Sequence, residues 1–126
     1  MMTNDTSAGV LKDKIKEIIG CYPSVNYGST ESLVESLPLP ENPGGYFFDW
    51  RQCYPEFIPE DEKVSVESGK IEDPPETISL MDVEKGKRYQ LVITMFTSDI
   101  HRYAMPDIME CIADGDSLLS IDLPIF

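Results

Sequence analysis

Arg88-Tyr89-Gln90-Leu91-Val92-Ile93-Thr94-Met95 decides how this chain folds. Its β-branched and aromatic residues around a Leu-Val-Ile centre read as a strand. Immediately upstream, Lys85-Gly86-Lys87 reads as a turn, with Met81-Asp82-Val83 leading into it. Downstream, a further strand is expected over residues 108–112, closed by a turn at Asp114-Gly115-Asp116. Shorter strand-like pieces lie at 46–50, 55–58 and 77–80. Prolines at 38, 40, 43, 55, 59, 74 and 75 exclude long helices from this middle region.

The helical signal is N-terminal, over residues 8–20. Val10, Leu11, Ile15, Ile18 and Ile19 recur at three- and four-residue steps, with Lys12, Asp13, Lys14, Lys16 and Glu17 on the other face. Ser7 suits the N-cap and Gly20 the C-terminal stop. Such an amphipathic helix needs a surface to lie against. A helix followed by five to seven short antiparallel strands predicts an α+β single domain over 1–126. Its residues 21–126 form the β-rich part, as a mainly antiparallel sheet or a small distorted barrel. The acidic, proline-bearing stretch 60–76 reads as a solvated loop or hairpin tip.

Composition bounds the function classes. The 126 residues suffice for one ordinary core, and 10 Lys+Arg against 23 Asp+Glu give a net charge of -13. No basic stripe exists to displace phosphate counterions, so nucleic acid is excluded as a partner, and an anionic membrane surface is disfavoured by the same sign. No apolar run approaches the roughly 18 residues of a membrane span. The first seven residues lack the basic and apolar regions of a secretory signal. Cys21, Cys53 and Cys111 are odd in number and widely spaced, which fits free thiols in a reducing cytoplasm rather than a disulfide framework or a zinc site.

Three segments could carry chemistry. In Tyr27-Gly28-Ser29-Thr30-Glu31, backbone N–H groups and hydroxyls could face a phosphate while Glu31 reaches a bound Mg²⁺; the alternative is a Gly-Ser turn capping a short helix through Ser29 or Thr30. In His101-Arg102-Tyr103-Ala104-Met105-Pro106-Asp107-Ile108, Asp107 sits at a strand entry, where it either accepts two ribose hydroxyls or faces water. His101 is the one histidine and has no neighbouring nucleophile to serve, so it reads as a surface or structural residue. The aromatics Tyr46, Phe47, Phe48 and Trp50, with Tyr54 and Phe57, read as core, because stacking platforms for nucleic acid come with a cationic groove.

In order, the blocks are Tyr-Gly-Ser-Thr-Glu, Pro-Glu-Phe-Ile-Pro, Val-Glu-Lys-Gly-Lys-Arg-Tyr-Gln-Leu-Val-Ile-Thr and Arg-Tyr-x-Met-x-Asp-Ile. This series resembles the Gretchen Hagen (auxin-responsive promoter) acyl-acid amido synthetases, relatives of the acyl-adenylate-forming enzymes. Their blocks are Tyr-Gly-Ser-Ser/Thr-Glu, Phe-Glu-Phe-Ile-Pro, Val-x-x-Gly-x-x-Tyr-Glu-Leu-Val-Val-Thr and Arg-Tyr-x-x-Gly-Asp. The resemblance runs over residues 22–126, the later part of the family's large domain.

It implies ATP and Mg²⁺ as cofactors. Tyr27, Gly28, Ser29 and Thr30 would then line the adenylate pocket, with Glu31 as Mg²⁺ ligand, Asp107 as ribose contact, and Arg102 and Tyr103 as the adjacent wall. Pro106 stands where the family has Gly, Ala104 where an Arg is common, and Ser98-Asp99 where a Gly-Leu turn is usual. The family's phosphate loop and C-terminal lid have no counterpart in these residues. The resemblance therefore implies a partial or split domain that is not catalytic alone and that a partner chain supplying the N-terminal part would complete. A homodimer through an exposed edge strand or apolar patch is the other partner expectation. The rival class is an acidic, non-catalytic interaction module that keeps the fold.

Overall fold

The structure is a computed structural model, and it describes residues 2–3, 10–30, 36–39, 44–66, 71, 73–113, 124 and 126. These divide into two compact units, 1–49 and 50–126, each taken by itself. The fold is α+β: among the described residues, one α-helix and strands that are mostly antiparallel.

The first unit holds the helix and two strand pairs. Strand β1 (Met2–Thr3) pairs in parallel with β2 (Ser24–Val25), and β3 (Ser36–Pro38) pairs antiparallel with β4 (Tyr46–Phe48). The helix spans Lys12–Ile19, shorter at its start than the apolar periodicity predicts. Leu11 stands at its N-cap without a side-chain hydrogen bond; the expected cap Ser7 lies outside the described residues. Gly20 ends it as expected, at φ 87° with its N–H donated to the Lys16 carbonyl (2.8 Å), a conformation that costs a residue with a Cβ. None of the helix's residues is buried.

The second unit is a four-stranded sheet in the order β6-β5-β7-β8, from β5 (Cys53–Pro59), β6 (Ile78–Ser79), β7 (Arg88–Met95) and β8 (Tyr103–Glu110). It is open, with β6 and β8 at its edges, so no closed barrel forms among the described residues. β7 has the bounds the sequence predicts. It is central and buried on both faces, which is why it reads as a continuous apolar run rather than an alternating one. Along one face Phe57 lies opposite Leu91 and Cys53 opposite Met95, and all four are buried. The Phe57 ring meets Tyr89 edge-on at 5.9 Å and stacks on Phe126 at 5.0 Å.

Two strand expectations are corrected. The piece at 77–80 shortens to Ile78–Ser79, because the Ser79 hydroxyl donates to Asp82 and the chain curls into a 3₁₀ turn at Leu80–Asp82. The last strand runs over Tyr103–Glu110 rather than 108–112. Pro106 weakens the strand signal, yet β8 is an edge strand, and opposite Leu91 it bulges, so the missing N–H leaves no ladder bond broken. Cys111 leaves the strand but still exchanges hydrogen bonds with the Gly86-Lys87 turn, at 2.7 and 3.0 Å. The turn at 114–116 lies outside the described residues.

Candidate functional site

The expected site residues fall in both units. In the first, the Tyr27 backbone is pinned by one buried hydroxyl: the Tyr27 N–H donates to Ser36 Oγ (2.5 Å), which donates in turn to the Tyr27 carbonyl (3.0 Å). The Tyr27 ring stacks on Tyr46 at 6.1 Å and meets Phe48 edge-on at 6.4 Å, so it belongs to an aromatic cluster. Gly28 and Ser29 are half-buried and Thr30 is exposed. Residues 31–35, over which a helix capped by Ser29 or Thr30 would run, lie outside the described residues, and with them Glu31, the expected Mg²⁺ ligand. Ser36 carries no signal in the sequence, because its role depends on a hairpin fold that local pattern does not reveal.

In the second unit, three chain segments meet at the entry to β8. Arg102 has φ 45°, a left-handed conformation that costs a non-glycine residue roughly 1–2 kcal/mol. Three hydrogen bonds of its own hold it there. Its N–H donates to Thr94 Oγ1 (3.0 Å), and its guanidinium donates to Glu56 Oε2 (3.2 Å) and Thr77 Oγ1 (3.4 Å). Thr77 closes the ring by donating to Glu56 Oε1 at 2.6 Å. Glu56 is largely buried while Arg102 is half exposed, so the pair orients the turn more than it adds Coulomb energy. Strained backbone held by surrounding structure marks a place where geometry matters to function.

Beside this turn lies a cavity of about 490 Å³. Ile58, Val92 and Ala104 line it from the sheet, and Val66, Ile71 and Pro75 from the loop after β5. Among the described residues its polar lining is Thr77, His101, Arg102 and Tyr103. The stretch 60–76 is thus two-sided. Its described charges are exposed or paired at the surface, as between Glu60 and Arg88 (3.1 Å), while Val66, Ile71 and Pro75 wall the cavity.

Asp107 is exposed and lies inside β8, in the bulge where Met105, Pro106 and Asp107 face Leu91 alone, rather than at a strand entry. The buried Gln90 side chain spans this irregularity. Its Nε2 donates to the carbonyls of Met105 (2.8 Å) and Val64 (3.0 Å), and its Oε1 accepts from the Val64 N–H (2.8 Å). Glu56, Thr77 and Gln90 escaped the sequence reading. For Glu56 and Gln90 the signal available was polarity inside a strand, since a buried polar group demands partners, whereas Thr77 lies just before β6.

A further finding concerns cations and thiols. No group of three or more His, Cys, Asp or Glu able to hold a metal occurs among the described residues. Cys21, Cys53 and Cys111 form no disulfide among the described residues, and Cys53 and Cys111 are buried. No helix of the described residues is long and apolar enough to cross a membrane.

Three of the four ordered blocks lie on this open antiparallel sheet with its clamped turn and bulged edge strand. The model of the GH3 family central domain matches residues 46–114, more than half of the chain, and the chain belongs to the GH3 family. This is the family the ordered blocks resemble. The indole-3-acetic acid-amido synthetase GH3.10 of Arabidopsis thaliana is 31% identical over 108 residues, covering 78% of this chain and 18% of that protein. The structure of the AtGH3.15 acyl acid amido synthetase in complex with 2,4-DB matches with a TM-score of 0.63 at 19% identity, over 98% of this chain and 19% of that one. The chain thus spans less than a fifth of the length of these relatives. Gln90 stands where the family block has Glu and Pro106 where it has Gly; in the fold the two departures meet at the Met105 carbonyl.

Proposed function

We infer that this chain forms the ribose-side part of the nucleotide site of an ATP-dependent acyl-acid amido synthetase. One observation carries the reading: three of the four family blocks, far apart in sequence, are hydrogen-bonded to one another. Arg102 of the last block bonds Glu56 of the second through its guanidinium and Thr94 of the third through its N–H. That ring fixes the backbone leading to Tyr103 and on to Asp107, whose exposed carboxylate is the acceptor for ribose hydroxyls. Arg102 is tied to Glu56, so it shapes the wall beside the nucleotide instead of neutralising phosphate.

The residues present fit the sugar end of ATP better than the phosphate end. Arg102 beside the cavity is already tied to Glu56, whereas the exposed Asp107 offers an acceptor for hydroxyls. Tyr27, Gly28, Ser29 and Thr30 are assigned to the adenylate pocket and Glu31 to Mg²⁺. When bound, ATP supplies the adenylyl group that activates a carboxylic acid. Electrostatic neutralisation of its phosphates is the main physical task, which Glu31 would serve through Mg²⁺ and a phosphate loop from a further segment or partner chain would complete. The chain alone therefore binds without turning over, and a further segment or partner chain completes the site in the cytoplasm.

The second reading, an acidic interaction module without catalysis, is favoured by one feature: Ile18 on the helix (75%) and Val10 just before it (83%) are exposed. Calorimetric titration of the chain with ATP and with AMP in the presence of Mg²⁺ separates the two. Binding that weakens about tenfold or more in Asp107→Ala, and disappears in Tyr27→Ala/Asp107→Ala, supports the nucleotide site. A wild-type titration silent to millimolar nucleotide rejects it in favour of the module.

A further inference from the structure

We propose that Gln90 is the positioning residue that fixes Asp107, by holding open the β8 bulge in which Asp107 sits. The role as a ribose contact rests on the nucleotide reading above; the structural role does not. Between the pairs Gln90–Ile108 and Val92–Ala104, β7 supplies one residue and β8 supplies three. Such a bulge turns backbone groups away from the ladder, and buried carbonyls without partners are costly. The Met105 carbonyl points instead to the Gln90 amide at 2.8 Å, with Gln90 only 2% exposed.

The same amide exchanges two hydrogen bonds with the backbone of Val64, at 2.8 and 3.0 Å. A single side chain thereby joins the loop after β5 to the bulge across the sheet. Pro106 has no N–H to bring this stretch back onto β7, so the paired ladder resumes only at Ile108, directly after Asp107. The geometry makes Gln90 specific. A carboxylate at this position has no donor for two carbonyls, and an apolar residue of the same length has neither donor nor acceptor.

The test compares wild type with Gln90→Met, Gln90→Glu, Asp107→Ala and the control Ile93→Val, which loosens β7 without touching the bulge. Affinities for ATP and for 2′,3′-dideoxy-ATP are measured, together with residue-resolved amide exchange. Wild type is expected to prefer ATP by about tenfold. In Gln90→Met that preference falls to about twofold or less, as in Asp107→Ala, while Ile93→Val keeps it. Exchange in Gln90→Met rises about tenfold at Met105, Asp107 and Ile108, with Leu91 to Ile93 unchanged. Gln90→Glu offers at most one donor and shows the same changes at smaller amplitude, so it serves if Gln90→Met does not fold. A retained ATP preference in the Gln90 variants, or exchange raised uniformly along β7 and β8, overturns the proposal. A wild type that binds neither nucleotide overturns the ribose reading alone, and the exchange pattern then decides for or against Gln90.

Discussion

The helix Lys12–Ile19 and strand β7 are each eight residues long, and both are amphipathic or apolar enough to be read directly from sequence. Their fates in the fold are opposite. Six of the eight β7 residues are buried, whereas no residue of the helix is. Periodicity reports which conformation a segment adopts, because it reflects the geometry of its own backbone. Burial depends on neighbours, and β7 has strands on both sides while the helix exposes Ile18 and Ile19.

The sharpest way to break that comparison is a pair of truncations. Leu91→Ala removes a side chain with no solvent exposure and is expected to cost about 2–5 kcal/mol, from lost burial and the cavity left behind. Ile18→Ala on the helix should change stability by no more than about 0.5 kcal/mol, because the side chain is already in water. Urea denaturation of both variants checks the contrast. An Ile18→Ala cost approaching that of Leu91→Ala would show that the helix is covered in solution, and the contrast would fail.

The second prediction sharpens the role of the clamped turn beside β7. Arg102→Ala loses the guanidinium bonds to Glu56 and Thr77 and keeps the left-handed strain, so it should destabilise by about 1–3 kcal/mol. Arg102→Gly loses the same bonds but relieves roughly 1–2 kcal/mol of backbone strain, and should be the more stable of the two. Thermal denaturation ranks them. The reverse order would mean that the positive φ at Arg102 costs nothing here.

These cases show how far the sequence could be read. The β7 bounds, the turn before it and the Gly20 helix stop were legible, since each depends on the residues' own backbone preferences. Pro106 obscured β8 because a proline argues against a central strand, and nothing local reveals that a strand will be at the sheet's edge and bulged. The order of blocks identified the family and nominated Arg102, Tyr103 and Asp107. It could not nominate Glu56, Thr77 or Gln90, whose bonds join residues between 15 and 46 positions apart. Polar residues inside otherwise apolar strands were the one available hint of such partners.

Gly20 offers a smaller and more local test of the helix side. Its φ of 87° makes Gly20→Ala cost about 1 kcal/mol, although the space for a Cβ is open. Because the helix buries nothing, that cost should appear as faster amide exchange over Ile15 to Ile19 and leave the urea midpoint of the sheet unmoved. A matching loss in the sheet's midpoint would mean that the two regions unfold together.

The smallest effect is expected at the turn feeding β7, where Lys87 donates to Glu84 at 2.7 Å. That hydrogen bond holds the Lys87 amine above its ordinary 10.5. A raised amine contributes stability that is fully present below the ordinary value and is lost as pH rises through the raised one. Both partners are more than half exposed, so water and salt screen the pair and its contribution is slight. The melting-temperature difference between wild type and Lys87→Met should therefore be small and flat from about pH 6 to about pH 9, shrinking only at higher pH. A difference that grew with pH would mean that Lys87 acts through something other than its charge. In that case the turn, and not only the apolar run behind it, would help set where β7 begins.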